Sequence, residues 1–178
     1  MKKKIFPAIT AVIGGIGTAA IGIIMNAVLI PRIEADTNGI RCFDMNFGYT
    51  PDTARRFLDL IGEDGRFIYL NRQLPLDFVY PVFYTLLFVS LICLLYRKRK
   101  KLAALLAPAI LLAVCDYAEN IMSIIMLKNG IPSDSFARIA SAVTAGKTVL
   151  MYFTIALVIA LLIGFIIGRK GENKNGNS

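Results

Sequence analysis

Four ionisable side chains interrupt stretches of this sequence that are otherwise apolar: Asp77, Asp116, Glu119 and Lys147. A charge inside a membrane span is costly, so it usually faces the protein interior and marks a polar site. Paired carboxylates can act as general acid and base, and carboxylates in excess over ammonium groups favour a cationic or proton-coupled ligand. These four residues are therefore the first candidates for chemistry in this chain.

Polar side chains recur at helical spacing beside Asp77 and beside Asp116, so each of these two groups shares one face of its helix, and those around Lys147 form a looser polar stripe. The candidate ligand-binding residues are Asp77, Tyr80 and Tyr84 in one segment, Asp116, Glu119 and Asn120 in the next, and Lys147 and Tyr152 in a third. No nucleophile motif, phosphate-binding loop or metal-binding pattern accompanies them, so no catalytic residue, metal or cofactor is predicted.

Four apolar segments must position these side chains, and each is long enough to cross a 30 Å hydrocarbon core as a helix. The predicted spans cover residues 5–30, 74–96, 102–127 and 142–168. With 56% hydrophobic residues among 178, the chain fits an all-α polytopic membrane protein, one four-helix bundle over residues 1–168. Residues 169–178 are predicted to form a disordered cytoplasmic tail.

The basic residues explain the net charge of +8 and also predict the orientation. They concentrate in Lys2–Lys4, in 97–101 and in the tail after Gly168, beside the ends of apolar segments. Such flanking charge marks the cytoplasmic side and contacts anionic lipids, so both termini are predicted to be cytoplasmic, in a plasma membrane. No basic face with interleaved aromatics is present, which argues against nucleic-acid binding.

The first apolar segment has a second interpretation, because Lys2–Lys4 followed by an apolar run also suits a secretory signal peptide. Its length of about 26 residues favours a retained helix, since signal-peptide cores are shorter. Gly14, Thr18 and Gly22 lie four residues apart on one face, where they could let another helix approach closely. Frequent glycine in membrane helices would explain the same pattern.

The loop over residues 31–73 is predicted to be extracytoplasmic and partly helical. Thr50 and Pro51 suit an N-cap and first helical position, and apolar residues then recur at helical spacing up to a stop at Gly62. This short amphipathic helix could lie in the membrane interface, form a lid over the bundle, or only pack on the helix ends. Asp36 and Asp44 do not follow the calcium-loop pattern.

Helix direction places the charges at similar depth. Asp77 and Lys147 come early in inward-running helices, and Asp116 lies about 21 Å along an outward-running one. The residues could thus line one outward-facing pocket. Alternatively, Lys147 could snorkel to the head groups, Asp77 could be interfacial, or Lys147 could form a purely structural ion pair with Asp116 or Glu119.

The arrangement resembles a family of small bacterial four-span membrane proteins without an established activity. The residues that carry this resemblance are Phe47-Gly48-Tyr49-Thr50-Pro51, Gly65-Arg66 with Tyr69, Asp77 with Pro81 and Tyr84, and Asp116 with Glu119-Asn120. The layout also resembles the EXPERA group of sterol isomerases and sigma-2-type receptors, in which acidic residues lie near the start of the second span. That resemblance implies a lipid-type ligand. It does not imply isomerase activity, because the isomerases use a histidine and this chain has none.

Three functions are consistent with these features. The first is binding of a lipid or small, cationic ligand in the acidic pocket, as a component of a transporter that would form a homodimer. The second is a non-catalytic accessory or assembly role in which the buried charges are structural. The third is an intramembrane lipid-modifying enzyme, which is less favoured because no nucleophile or metal motif supports it.

Overall fold

The computed structural model describes residues 5–96 and 101–175, with side chains as far as Gly168. The protein is all-α, and no strand occurs in these ranges. In chain order the α-helices are α1 (Ile5–Ile24), α2 (Ile30–Ile33), α3 (Pro51–Leu60), α4 (Gly62–Ile68), α5 (Leu74–Leu95), α6 (Leu102–Asn129) and α7 (Asp134–Asn175).

Four helical stretches are long and apolar enough to cross a membrane, as in a multi-pass membrane protein. They are Ile5–Ile33, Gly62–Leu95, Leu102–Asn129 and Asp134–Gly168. The basic residues Lys2–Lys4 and 97–100, on which the predicted orientation depends, lie outside the described residues.

The helices extend further than the apolar segments predicted. The second spanning stretch begins at Gly62 instead of residue 74, and the fourth begins at Asp134 instead of residue 142. The reason is tertiary packing, because Tyr69 and Ala140 in these added turns are buried against the loop between α2 and α4. At the other end α7 remains helical to Asn175, where a disordered tail from residue 169 was predicted.

Two π-helical segments interrupt the spanning stretches without ending them. Met25–Leu29 joins α1 to α2, and Tyr69–Gln73 joins α4 to α5. The two segments contact each other. Segments of this kind are rare and occur frequently at functional sites.

Residues 34–61 fold over one end of the helices and are named the cap; the end they cover is named the capped end. Thr50 begins α3 by accepting a hydrogen bond from the Thr53 N–H at 3.1 Å, and Pro51 occupies the first turn. The apolar face of α3 packs into a buried core instead of facing lipid. The core residues are Ile30, Ile33, Cys42, Phe43, Ala54, Phe57, Leu58, Ile61, Tyr69, Leu74, Met126, Leu127 and Ala140.

Cys42 belongs to this core and is fully buried. Its backbone N–H donates to Glu34 Oε1 at 2.6 Å. Burial, together with the nearby Asp44 and Glu34, raises the pKa of the thiol far above its ordinary value. A buried protonated thiol is a poor nucleophile, so Cys42 acts as a packing residue.

Polar contacts attach the cap to the spanning helices. The Tyr49 N–H donates to Ser141 Oγ on α7 at 2.8 Å. Arg55 pairs with Asp134 at the start of α7. Through these contacts the cap is held over the beginning of α7.

The spanning helices do not pack equally. Gly14 of α1 lies against the α5 backbone so closely that a Cβ there would approach Leu87 N to 2.6 Å and Phe83 O to 2.8 Å. Thr10 Oγ1 and Ser90 Oγ also share a hydrogen bond of 2.7 Å between α1 and α5. Helix α5 packs on α6, and α6 on α7, whereas α1 and α7 have little direct contact within the described residues.

Candidate functional site

The charged residues of α5, α6 and α7 meet inside the protein, near the capped end. Asp77, Asp116 and Glu119 are at most 4% exposed, and the side chain of Lys147 is 15% exposed. One alternative raised from the sequence is therefore wrong for this structure, because the Lys147 side chain is held inside the protein and does not extend to a surface. Asp77 likewise faces the protein interior.

Lys147 is the centre of an ion-pair network between α6 and α7. Its ammonium group contacts Glu119 Oε2 directly and lies 3.5 Å from Asp116 Oδ1. Because Asp116 and Glu119 are three residues apart on α6, both carboxylates face the same point on α7. The network thus joins the two helices through one buried cation.

Hydrogen bonds hold these carboxylates in position. The Tyr84 hydroxyl of α5 donates to Asp116 Oδ2 at 2.9 Å. The Thr144 hydroxyl of α7 donates to Glu119 Oε1. Asp116 therefore has a partner on α5 and another on α7, which fixes the angle of its carboxylate.

Asp77 differs from the other two acids. It is 4% exposed, yet its carboxylate makes no hydrogen bond or ion pair with any residue that the structure describes. Only its backbone carbonyl is used, as the acceptor for Asn120 Nδ2 at 3.1 Å. A buried carboxylate without a partner is unfavourable, so this group is available to bind something else.

That carboxylate lines a cavity of about 380 Å³ bordered by residues of α1, the π-helical segment after it, α5, α6, α7 and the cap. Its lining residues are Thr18, Gly22, Met25, Asn26, Asp44, Met45, Asp77, Tyr80, Tyr84, Phe88, Leu112, Asp116, Lys147, Thr148, Met151 and Ile155. This volume lies in the range of small-molecule sites, which are mostly apolar with a few placed polar groups.

Five of the eight predicted site residues line this cavity: Asp77, Tyr80, Tyr84, Asp116 and Lys147. Glu119 and Asn120 lie behind the lining and support it through Lys147 and Asp77. Tyr152 does not belong to the group, because it is 64% exposed on the outer surface of α7.

The cap contributes a carboxylate that the helical spacing did not reveal. Asp44, in the 3-10 turn Phe43–Met45, lines the cavity and accepts a hydrogen bond from the Tyr69 hydroxyl at 3.0 Å. Tyr49 of the cap lies near the same site, and burial together with Glu119 raises its pKa. The only sign in the sequence that Asp44 is partly buried is its position between two apolar residues.

One wall of the cavity is formed by Thr18 and Gly22 of α1 with Met25 and Asn26 of the π-helical segment that follows it. Gly22 faces the hydroxyl of Tyr80, which a Cβ at that position would meet at 3.5 Å. The small-residue face predicted for α1 therefore serves two purposes, because Gly14 packs on α5 while Thr18 and Gly22 border the cavity.

Among the residues described, no group of three or more His, Cys, Asp or Glu side chains has the geometry to hold a metal ion. The arrangement nevertheless offers carboxylates, one ammonium group and two phenols around an open space. Such a site can bind a cation, exchange a proton or hold a polar head group. No family model, curated protein or solved structure matches this chain.

Proposed function

We propose that this chain is a multi-pass plasma-membrane protein that binds a small cationic ligand in the cavity between α1, α5, α6 and α7, without catalysing a reaction. The observation that carries the proposal is the Asp77 carboxylate, which is buried, lines the cavity and has no hydrogen-bond or ion-pair partner among the described residues. Basic residues at the chain ends and between α5 and α6 support an orientation with both termini in the cytoplasm and the cap outside.

The balance of charge around the cavity indicates the sign of the ligand. Asp44, Asp77 and Asp116 line it, and Glu119 lies directly behind Lys147. Four carboxylates against one ammonium group leave an excess of three negative charges when all are ionised. In a site shielded from water this excess attracts a cation or protons.

Lys147 restricts where that cation can bind. Its ammonium group is already engaged by Glu119 and Asp116. Asp77 has no such partner among the described residues, so a ligand cation would be placed at the Asp77 carboxylate. The Tyr80 and Tyr84 rings pack edge to face with their centroids 5.3 Å apart, and they provide an aromatic wall beside this position.

A structural role for the buried charges is the second candidate, and the Lys147 ion pairs favour it. The network joins α6 to α7 and needs no ligand to explain it. It does not account for Asp77, however, because that carboxylate joins no helix through its side chain and borders an open volume.

A binding measurement with a matched pair of probes separates the two functions. Purified protein in nanodiscs is titrated with n-butylammonium and with n-butanol, its neutral analogue, and binding is followed by calorimetry. We expect binding of the ammonium ion alone, weakened by about tenfold or more in Asp77→Asn, because a charge-assisted hydrogen bond is lost. Asp59→Asn, at an exposed position of α3, is the control and should bind as the wild type does.

The unfolding temperature of Asp77→Asn shows whether this variant is folded. Removing an unpaired buried carboxylate should not lower that temperature. Binding of n-butylammonium that is equal in wild type and a folded Asp77→Asn would overturn the proposal. Absence of binding to the wild-type protein would do the same and would leave the structural role as the better account.

A further inference from the structure

The cavity changes character along its length, and the same change occurs on three helices. On α5 the lining passes from Asp77 near the capped end to Phe88, and on α6 from Asp116 to Leu112. On α7 it passes from Lys147 to Ile155. In every case the charged residue is nearer the capped end and the apolar residue is deeper.

The cavity is long. Asp77 at its charged end and Phe88 at its apolar end are eleven positions apart on α5, which corresponds to about 16 Å at 1.5 Å per residue. A small hydrated cation would use only the charged end of this space. The remaining walls, from Phe88, Leu112 and Ile155, offer nothing to a polar group and suit a hydrocarbon chain.

The cavity opens sideways between α1 and α7. These helices face each other across it but have little direct contact within the described residues. Met151 and Ile155 line the cavity, yet they are 38% and 37% exposed, and Asn26 on the opposite wall is also exposed. In a spanning helix, exposed side chains away from the helix ends face lipid, so these exposures favour an opening towards the bilayer.

The route from the capped end is more restricted. Asp44 and Met45 of the cap close that end of the cavity. The hydrogen bond from Tyr69 to Asp44 fixes them, and Tyr69 is itself 1% exposed within the cap core. A ligand from the water phase would have to displace this segment.

We propose that the ligand is a single-chain ammonium amphiphile that enters from the bilayer between α1 and α7. Its head binds at the Asp77 carboxylate, and its chain lies along Phe88 and Leu112 towards the membrane centre. This inference rests on the proposed cation site and adds to it the ligand class and the entrance.

Photolabelling in phosphatidylcholine nanodiscs tests the placement of the chain. The probe is n-dodecylamine with a diazirine at its terminal carbon, and the corresponding dodecanol probe is the neutral control. We expect the amine to label Phe88, Leu112, Met151 or Ile155, and to lose this labelling by about tenfold in Asp77→Asn. The alcohol should label lipid-facing residues only.

A pair of substitutions on α7 tests the entrance. Met151→Trp places a large ring at the opening and leaves every charged residue unchanged. Val149→Trp adds the same ring at a position that is 55% exposed and does not line the cavity. We expect Met151→Trp to reduce cavity labelling by about tenfold and Val149→Trp to leave it unchanged, with equal unfolding temperatures for the two variants.

The outcomes separate this inference from the cation site itself. If the amine and alcohol probes label the same lipid-facing residues while n-butylammonium still binds through Asp77, the proposed ligand class is wrong and the proposed cation site is retained. If cavity labelling is equal in Met151→Trp and Val149→Trp, the lateral entrance is wrong. Without any Asp77-dependent binding of n-butylammonium, both proposals fail together.

Discussion

The cap and the spanning helices distribute apolar residues in opposite ways. In and beside the cap, Phe43, Phe57 and Tyr69 of the adjoining π-helical segment are each 1% exposed and contact one another, as in the core of a water-soluble domain. In the spanning helices, residues such as Ile16 and Val114 are 66% and 57% exposed, while the carboxylates are inside. The contrast fits one chain in two surroundings. Next to water the apolar side chains are buried, and next to lipid the polar side chains are buried.

The two regions should therefore fail in different ways. Loss of an apolar side chain is most damaging in the cap, because its stability depends on a packed core. In the spanning part, the most damaging change is one that leaves a buried charge without a partner, because lipid offers no substitute for it.

The largest effect is expected from Phe57→Ala in the cap. Removing a fully buried aromatic side chain costs about 3–5 kcal/mol. Phe67→Ala is the control, because Phe67 is 58% exposed. Thermal unfolding of both variants measures the difference, and equal unfolding temperatures would show that the cap has no packed core of its own.

Lys147→Met tests the corresponding vulnerability of the spanning helices. It removes the only cation that contacts Glu119 and Asp116 among the described residues, and breaking a buried pair costs about 3–5 kcal/mol. Lys128→Met, at an exposed position of α6, should have little effect. Adding Glu119→Gln to Lys147→Met should recover part of the loss, and a double variant less stable than the single one would contradict the ion-pair account.

Gly14→Ala tests how closely α1 and α5 pack. The new methyl group would meet backbone atoms of α5, which cannot rotate away, so we expect a loss of about 1–3 kcal/mol. Gly15→Ala is the matched control, because its nearest neighbour is Leu87 Cδ1 at 3.8 Å. Equal denaturation midpoints for the two variants would mean that the helices separate more easily than this contact indicates.

The smallest effect is expected from Arg55→Ala, which removes the ion pairs of Arg55 with Asp52 and Asp134. These side chains are largely exposed, and exposed pairs are screened by water and salt. We expect an unfolding temperature equal to that of the wild type within experimental error. A clear decrease would show that the cap is held to α7 by charge more than by its core.

The sequence was sufficient to predict the all-α architecture and four helices able to span a membrane, because hydropathy over about 20 residues is a local property. The possible ion pairs of Lys147 with Asp116 and Glu119 also followed from it, since helix direction placed the three charges at one height. The structure contains both contacts.

Other features depend on contacts that spacing cannot show. Tyr152 comes five residues after Lys147, which turns it by about 140° around the helix and away from the cavity. Asp44 reaches the cavity only because the cap folds back over the helices. The early start of α7 at Asp134 likewise depends on Ala137 and Ala140 being buried near the cap.

The π-helical segment Met25–Leu29 has a consequence for the length of the chain. A π-helical turn acts as a one-residue insertion in an α-helix, and each residue turns the helix by about 100°. Because the extra residue is absorbed within the π-turn, deleting one residue there would leave a regular α-helix with Thr18 and Gly22 still on the cavity side and Ile30 and Ile33 still in the core. A deletion elsewhere in α1 would rotate the preceding residues by about 100°, so length variation should be tolerated best at this turn.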